Sequence, residues 1–194
     1  MSQQASLFDF EPPPKNTDRL FFAVMPDQNA IGSIRALTAE LKAQHAMSGR
    51  PIDEAKLHAT LCVLGDFPGM PDALIKTASR AAALVADSTL PFKVSFDTAQ
   101  TFITGPRHRP LVLTGGDGVV GLNGFYKNLS GALLKTSGLR NPPGYTPHVT
   151  MLYDDVTAPP QSVAPVEWTV REIVLLHSHI GQGRPYSILA RWSF

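Results

Sequence analysis

Two stretches of the same pattern, Lys56-Leu57-His58-Ala59-Thr60-Leu61 and Tyr145-Thr146-Pro147-His148-Val149-Thr150-Met151, constrain this chain more than anything else in it. Each reads His, apolar, Thr, apolar. In a β-strand successive side chains point to opposite faces, so each copy puts its imidazole and hydroxyl on one face, about 6 to 7 Å apart, and its apolar pair on the other. A fold that uses both copies must give each strand one face to pack and one face to keep open. His148 follows His58 by 90 positions in a chain of 194, which points to a duplicated arrangement with the two strands meeting at a pseudo-dyad.

The remaining pattern predicts an α+β chain. Leu20 to Met25 has the length and aromatic content of a core strand and stops at Pro26-Asp27. Asp27 then caps a helix running to about His45, with Ile31, Ile34, Leu37, Thr38 and Leu41 on one face. Lys56 to Leu64 is the first motif strand. A second helix starts near Pro71-Asp72, with an Ala-rich stripe formed by Ala73, Leu74, Ala78, Ala81, Ala82 and Val85. Phe92, Val94 and Phe96 alternate as a half-buried strand running on through Phe102 and Ile103, and Leu111-Val112-Leu113 is its neighbour. A third helix carries Val119, Leu122, Phe125, Tyr126, Leu129, Leu133 and Leu134, and two strands, Val166 to Ile180 and Pro185 to Trp192, finish the chain. No long parallel strand-helix-strand series is present, so the sheets are expected to be mainly antiparallel and the fold not doubly wound.

Imidazole titrates near pH 6.5, so of two histidines one can be neutral and the other protonated at physiological pH. Facing each other across one centre, they form a general base and a general acid. The adjacent Thr60 and Thr150 hydroxyls are suited to donate to non-bridging phosphate oxygens as in-line displacement proceeds. For either motif alone a hydrogen-bonded structural histidine is the ordinary reading, but two copies in matched context favour chemistry. A metal site built from His58 and His148 with His177 and His179 is the competing reading. It is disfavoured because no His-Glu-x-x-His, acidic cluster or Cys ligand accompanies them, so neither metal nor cofactor is expected. Gly115-Gly116-Asp117-Gly118 precedes a helix but lacks Gly-Lys-Ser/Thr, which excludes a triphosphate loop.

The two motifs, the opening strand Leu20-Phe21-Phe22-Ala23-Val24, Leu64-Gly65, and the segment Ser178 to Leu189 resemble the two-histidine (2H) phosphoesterase superfamily. The branch they resemble is that of the RNA 2′,3′-cyclic phosphodiesterases, also called 2′-5′ RNA ligases. The resemblance covers about Arg19 to Phe194. It implies a bilobal, pseudo-two-fold α+β fold around a central cleft, residues 19–194 as a single domain behind a flexible tail at 1–18, catalytic His58 and His148, and phosphate-binding Thr60 and Thr150. It further implies hydrolysis of a 2′,3′-cyclic phosphate on RNA or a small nucleotide to a phosphomonoester, with the 2′-phosphate as product. Another cyclic phosphate or a 2′-5′ linkage is the alternative substrate, and an RNA end-binding module with weak turnover the alternative class. The intact quartet favours catalysis, because pure binding is better served by Lys or Arg.

Two positions depart from the family pattern. Tyr153 stands where a basic residue often follows the second Thr, and Val63 stands where an aromatic often follows the first His. Tyr153 is suited to stack on a base or donate through its hydroxyl, or simply to pack in its strand. Arg107, Arg109, Arg140 and Tyr145, in loops near the motif strands, are the other candidates for gripping flanking phosphates or bases. His45 and His108 read as surface residues, and His177 and His179 as strand or rim residues.

A formal net charge of +1 gives no global attraction to nucleic acid, so RNA contact has to come from a local patch. One cysteine, Cys62, excludes an internal disulfide, and neither a signal peptide nor a membrane-spanning run is evident. A cytoplasmic monomer is expected. Finally, Gln4-Ala5-Ser6-Leu7-Phe8, set off by Pro12-Pro13-Pro14, resembles the peptides that dock on bacterial sliding clamps through Gln4, Leu7 and Phe8. Fold-back of Leu7, Phe8 and Phe10 on the protein's own surface, or their staying mobile, is the alternative.

Overall fold

The computed structural model describes residues 14–142 and 144–194. The clamp-like peptide and most of the expected tail lie outside the described residues. In chain order the elements are β1 (Asp18–Val24), α1 (Gln28–Gln44), β2 (Ala59–Phe67), α2 (Asp72–Ala86), β3 (Phe92–Thr101), β4 (Arg109–Thr114), α3 (Val120–Ser137), β5 (His148–Asp154), β6 (Gln161–Val170), β7 (Glu172–His179) and β8 (Ser187–Ser193). The strands form one antiparallel sheet in the order β6-β3-β4-β5-β2-β1-β7-β8.

This order has a pseudo-two-fold at its centre. The motif strands β5 and β2 lie side by side, and outward from each comes the strand that precedes it across a helix, β4 or β1. β2 and β5 share one residue pair, Ala59 with Val149, and Pro51 ahead of β2 bridges Leu152, so the sheet is two four-stranded lobes joined along the second motif strand. One face carries the helices and the main core, in which Leu20, Phe22, Leu61, Leu113, Leu129 and Met151 are buried together. Burying one such side chain is worth about 1.5 to 3 kcal/mol. On the opposite face a small cluster, Phe21, Ala23, Val174 and Leu176, packs under Met25 and Tyr186.

Local chemistry accounts for the helix ends. Asp27 accepts the Ala30 N–H at 2.9 Å and starts α1, which buries Ala30, Ile34, Leu37, Thr38 and Leu41. Gly138, in the left-handed conformation (φ 70°), ends α3. Three expectations need correction. The predicted strand Val166 to Ile180 is two strands: β6 pairs with β3 in one lobe, Arg171 intervenes, and β7 pairs with β1 in the other. No Gly or Pro marks the change of partner, because the chain passes between lobes almost without turning off its extended path. β3 ends at Thr101, short of Phe102 and Ile103. Ala73 and Leu134, counted on apolar stripes, are exposed. Among the described residues no helix is long and apolar enough to cross a membrane.

Candidate active site

His58, one residue ahead of β2, Thr60 in β2, and His148 and Thr150 in β5 line one cleft of about 260 Å³ where the lobes meet; the strand expected over Lys56 to Leu64 runs instead from Ala59 to Phe67. The apolar partners Ala59, Leu61, Val149 and Met151 are buried in the core behind them, so alternation separates packing from chemistry in both strands.

The two imidazoles are held alike. His58 Nδ1 lies 2.7 Å from the Lys56 carbonyl and His148 Nδ1 lies 2.8 Å from the Thr146 carbonyl, in each case the residue two positions earlier. A carbonyl only accepts, so Nδ1 carries a proton in both rings and Nε2 is left to exchange protons. His58 Nε2 is 3.0 Å from Thr60 Oγ1. Burial pushes His58 below the ordinary imidazole value; the bond to the Lys56 carbonyl opposes this, and the charge of His148 adds to it. Phe21 and Tyr186 wall its ring at 5.1 and 5.5 Å between centroids, and Phe102 meets the His148 ring edge-on at 5.2 Å.

A bulge follows the Thr in each motif strand. Leu61 and Cys62 are both buried after Thr60, and Met151 and Leu152 both after Thr150, with matching register shifts against β1 and β4. The extra residue reverses the alternation, so Val63 and Tyr153, five residues after each His, turn onto the cleft. Tyr153 is 38% exposed and its ring stacks at 4.8 Å on His108, which is exposed, as its reading as a surface residue expects.

The other candidates fall elsewhere. Tyr145 donates its hydroxyl to the Thr60 carbonyl at 3.0 Å and stacks on Tyr126 at 4.0 Å, bracing one lobe against the other. Arg109 directs its guanidinium to the carbonyls of Gly105, Pro106 and Asp155, closing its own loop. Arg107 and Arg140 are not among the cleft-lining residues. His177 and His179 do not join the motif histidines. They gather on Asp18, whose carboxylate accepts the Thr17 hydroxyl at 2.6 Å and His177 Nε2–H at 2.5 Å. These bonds, Thr17's foremost, hold the Asp18 carboxyl below its ordinary value. Cys62 is buried, and burial pushes its thiol up to about 12, so it takes no part as a nucleophile.

Sequence reasoning missed much of the cleft wall: Arg19, Phe21, Lys56, Ser178 and Tyr186. Arg19 is held by Asp66 through Nε at 2.6 Å and Nη2 at 2.8 Å. Alternation was the available signal for Arg19 and Phe21, which share a face of β1, whereas Lys56 ends a 3-10 turn, Glu54–Lys56, to which strand alternation does not apply. Against the apolar flank of the cleft lies a further hollow of about 410 Å³ walled by Phe102, Tyr126, Pro142 and Tyr145.

The family model of the 2′-5′ RNA ligase superfamily matches residues 25–182. Among solved structures the chain is similar to E. coli LigT complexed with 3′-AMP, at 25% identity and TM-score 0.70, covering 93% of this chain and 99% of that one. It is similar at 26% identity and TM-score 0.69, with the same coverage, to E. coli LigT complexed with NADP+. A Thermus thermophilus protein, TT0787, shares the fold at 20% identity and TM-score 0.69, covering 90% and 97% of the two chains. No curated protein matches.

Proposed function

Because the chain belongs to the 2′-5′ RNA ligase superfamily, we propose that it hydrolyses 2′,3′-cyclic phosphate ends of RNA or of small nucleotides to the 2′-phosphomonoester, using its two histidines and no metal. Water attacks phosphorus while His58 Nε2 takes its proton. The bond from phosphorus to the 3′-oxygen breaks, and His148 Nε2–H protonates that oxygen. Thr150, and Thr60 once substrate turns its hydroxyl away from His58 Nε2, donate to the non-bridging oxygens, whose charge is held through the transition state. The base role goes to His58 because its burial disfavours the charged form, so it enters turnover neutral.

One observation carries this reading: both imidazoles have Nδ1–H tied to the carbonyl two residues back, and both line one cleft with a Thr beside each. Two protonatable nitrogens facing one small space are what an in-line displacement with a poor leaving group needs, and a binding module has no use for them. The complex of E. coli LigT with 3′-AMP supports a nucleotide ligand of this class.

Turnover of cytidine 2′,3′-cyclic phosphate in excess chelator tests it. Wild type should convert the substrate to the 2′-phosphate, and His58→Ala and His148→Ala should each lose about 10² to 10⁴ in rate. No turnover by wild type, or full turnover by the double variant, would reject the assignment.

A further inference from the structure

A strand whose end reacts in the cleft must leave it on one side, and the two flanks differ in chemistry. One flank is the aromatic hollow beside His148. The other is a groove of about 290 Å³ that shares Arg19, Lys56, Ser178 and Tyr186 with the cleft and adds His179, the last residue of β7, and Arg184 from the turn between β7 and β8.

The cations of this groove are placed rather than scattered. Lys56 donates one Nζ proton to the Gly183 carbonyl at 3.0 Å, and its ammonium lies 5.9 Å from the Tyr186 ring centroid, which fixes it at the boundary between cleft and groove. Two of its donors remain. Arg19 has Nε and Nη2 committed to Asp66, which offsets much of its charge. Arg184 is exposed, and among the described residues no carboxylate lies within salt-bridge distance of it. The net positive charge of the groove therefore rests on Lys56 and Arg184, in a protein whose total charge is only +1. That charge favours an anionic backbone on this flank over the aromatic one.

We propose that this groove holds the phosphodiester adjoining the reacting nucleotide, so that the substrate is an RNA strand of at least two nucleotides in preference to a free cyclic mononucleotide. The inference rests on the hydrolase reading above.

Three substrates test it with the full-length enzyme: cytidine 2′,3′-cyclic phosphate, a CpC dinucleotide ending in a 2′,3′-cyclic phosphate, and the same dinucleotide with an uncharged methylphosphonate linkage. kcat/KM for the charged dinucleotide should exceed that for the mononucleotide by about tenfold or more, the scale of one charge-assisted hydrogen bond. The methylphosphonate should lose most of that advantage, as should Arg184→Ala, judged by the ratio of the two charged substrates within one preparation. Equal kcat/KM for mono- and dinucleotide, a fully active methylphosphonate, or an unchanged ratio in Arg184→Ala would each overturn the groove while leaving the hydrolase reading intact. A wild type inert toward all three would overturn both.

Discussion

Tyr145→Phe deletes a single hydroxyl at the seam between the lobes. That hydroxyl reaches from the loop ahead of β5 to the Thr60 carbonyl at 3.0 Å, next to the Ala59–Val149 pair that joins β2 to β5. The ring stacks on Tyr126 at 4.0 Å, so phenylalanine keeps the packing and loses only the donor. A net hydrogen bond is worth about 0.5 to 1.5 kcal/mol, and an acceptor left without its partner raises the loss to about 1 to 3 kcal/mol. Taking about 2 kcal/mol, the melting temperature of a chain this size should fall by about 4 to 8 °C. The same carbonyl belongs to Thr60, which lines the cleft, and a displacement of about 1 Å there can cost up to about 100-fold in rate, so kcat should fall more than KM rises. Burial raises the Tyr145 phenol above its ordinary value, so it remains a donor, and the Tm difference should be the same from about pH 5 to 9. Circular dichroism melts and steady-state kinetics on wild type and variant provide the check. An unchanged Tm with a raised KM would show that the phenol grips substrate and does not brace the lobes.

Thr60→Val and Thr150→Val keep side-chain shape and should each lower kcat by about 10- to 1000-fold, on the scale of one lost oxyanion donor, with near-native melts. Unchanged kinetics in both would place the phosphate elsewhere. The His58 pKa lies below its ordinary value near 6.5, and the base must be neutral to act while His148 must still carry the proton it gives up, so the profile is bell-shaped and its acid limb falls as pH drops through the depressed His58 value. An acid limb of kcat/KM centred at or above pH 6.5 would contradict the burial account. Stability follows the same sign: the unfolded chain binds the His58 proton first, so folding weakens as pH drops below about 6.5, and His58→Gln should flatten that slope in urea melts at graded pH.

What was legible in the sequence was whatever a short period could carry. The His-x-Thr alternation put four functional side chains on one face of two strands, and Asp27 marked the start of α1. What was not legible depended on pairings between distant residues. Ser178 reaches the cleft because Arg19 pairs with it across more than a hundred and fifty positions, and nothing local announces that register. The bulges that turn Val63 and Tyr153 inward involve no Gly or Pro at Leu61-Cys62 or Met151-Leu152, so strict alternation would send those two side chains to the wrong face. Arg109 looked like a phosphate ligand because a sequence shows a side chain's charge but not the three loop carbonyls that already accept from it.

The partition of strands between the lobes also orders their assembly in time. The lobe of β3 to β6 is drawn from one continuous run, residues 92–170, and can close as soon as that run is available. The other lobe takes β1 and β2 from one end of the chain and β7 and β8 from the other, so the edge of β1 waits for nearly the whole polypeptide to be synthesised. Joining those ends closes a far longer loop, with its larger entropic cost, and until then β1 exposes an unpaired row of backbone groups. The first histidine motif thus matures after the second although it is made first, and amide protection during refolding should appear at Val112 and Leu113 before Phe22 and Leu175. Simultaneous protection would show that the two lobes form as one cooperative unit.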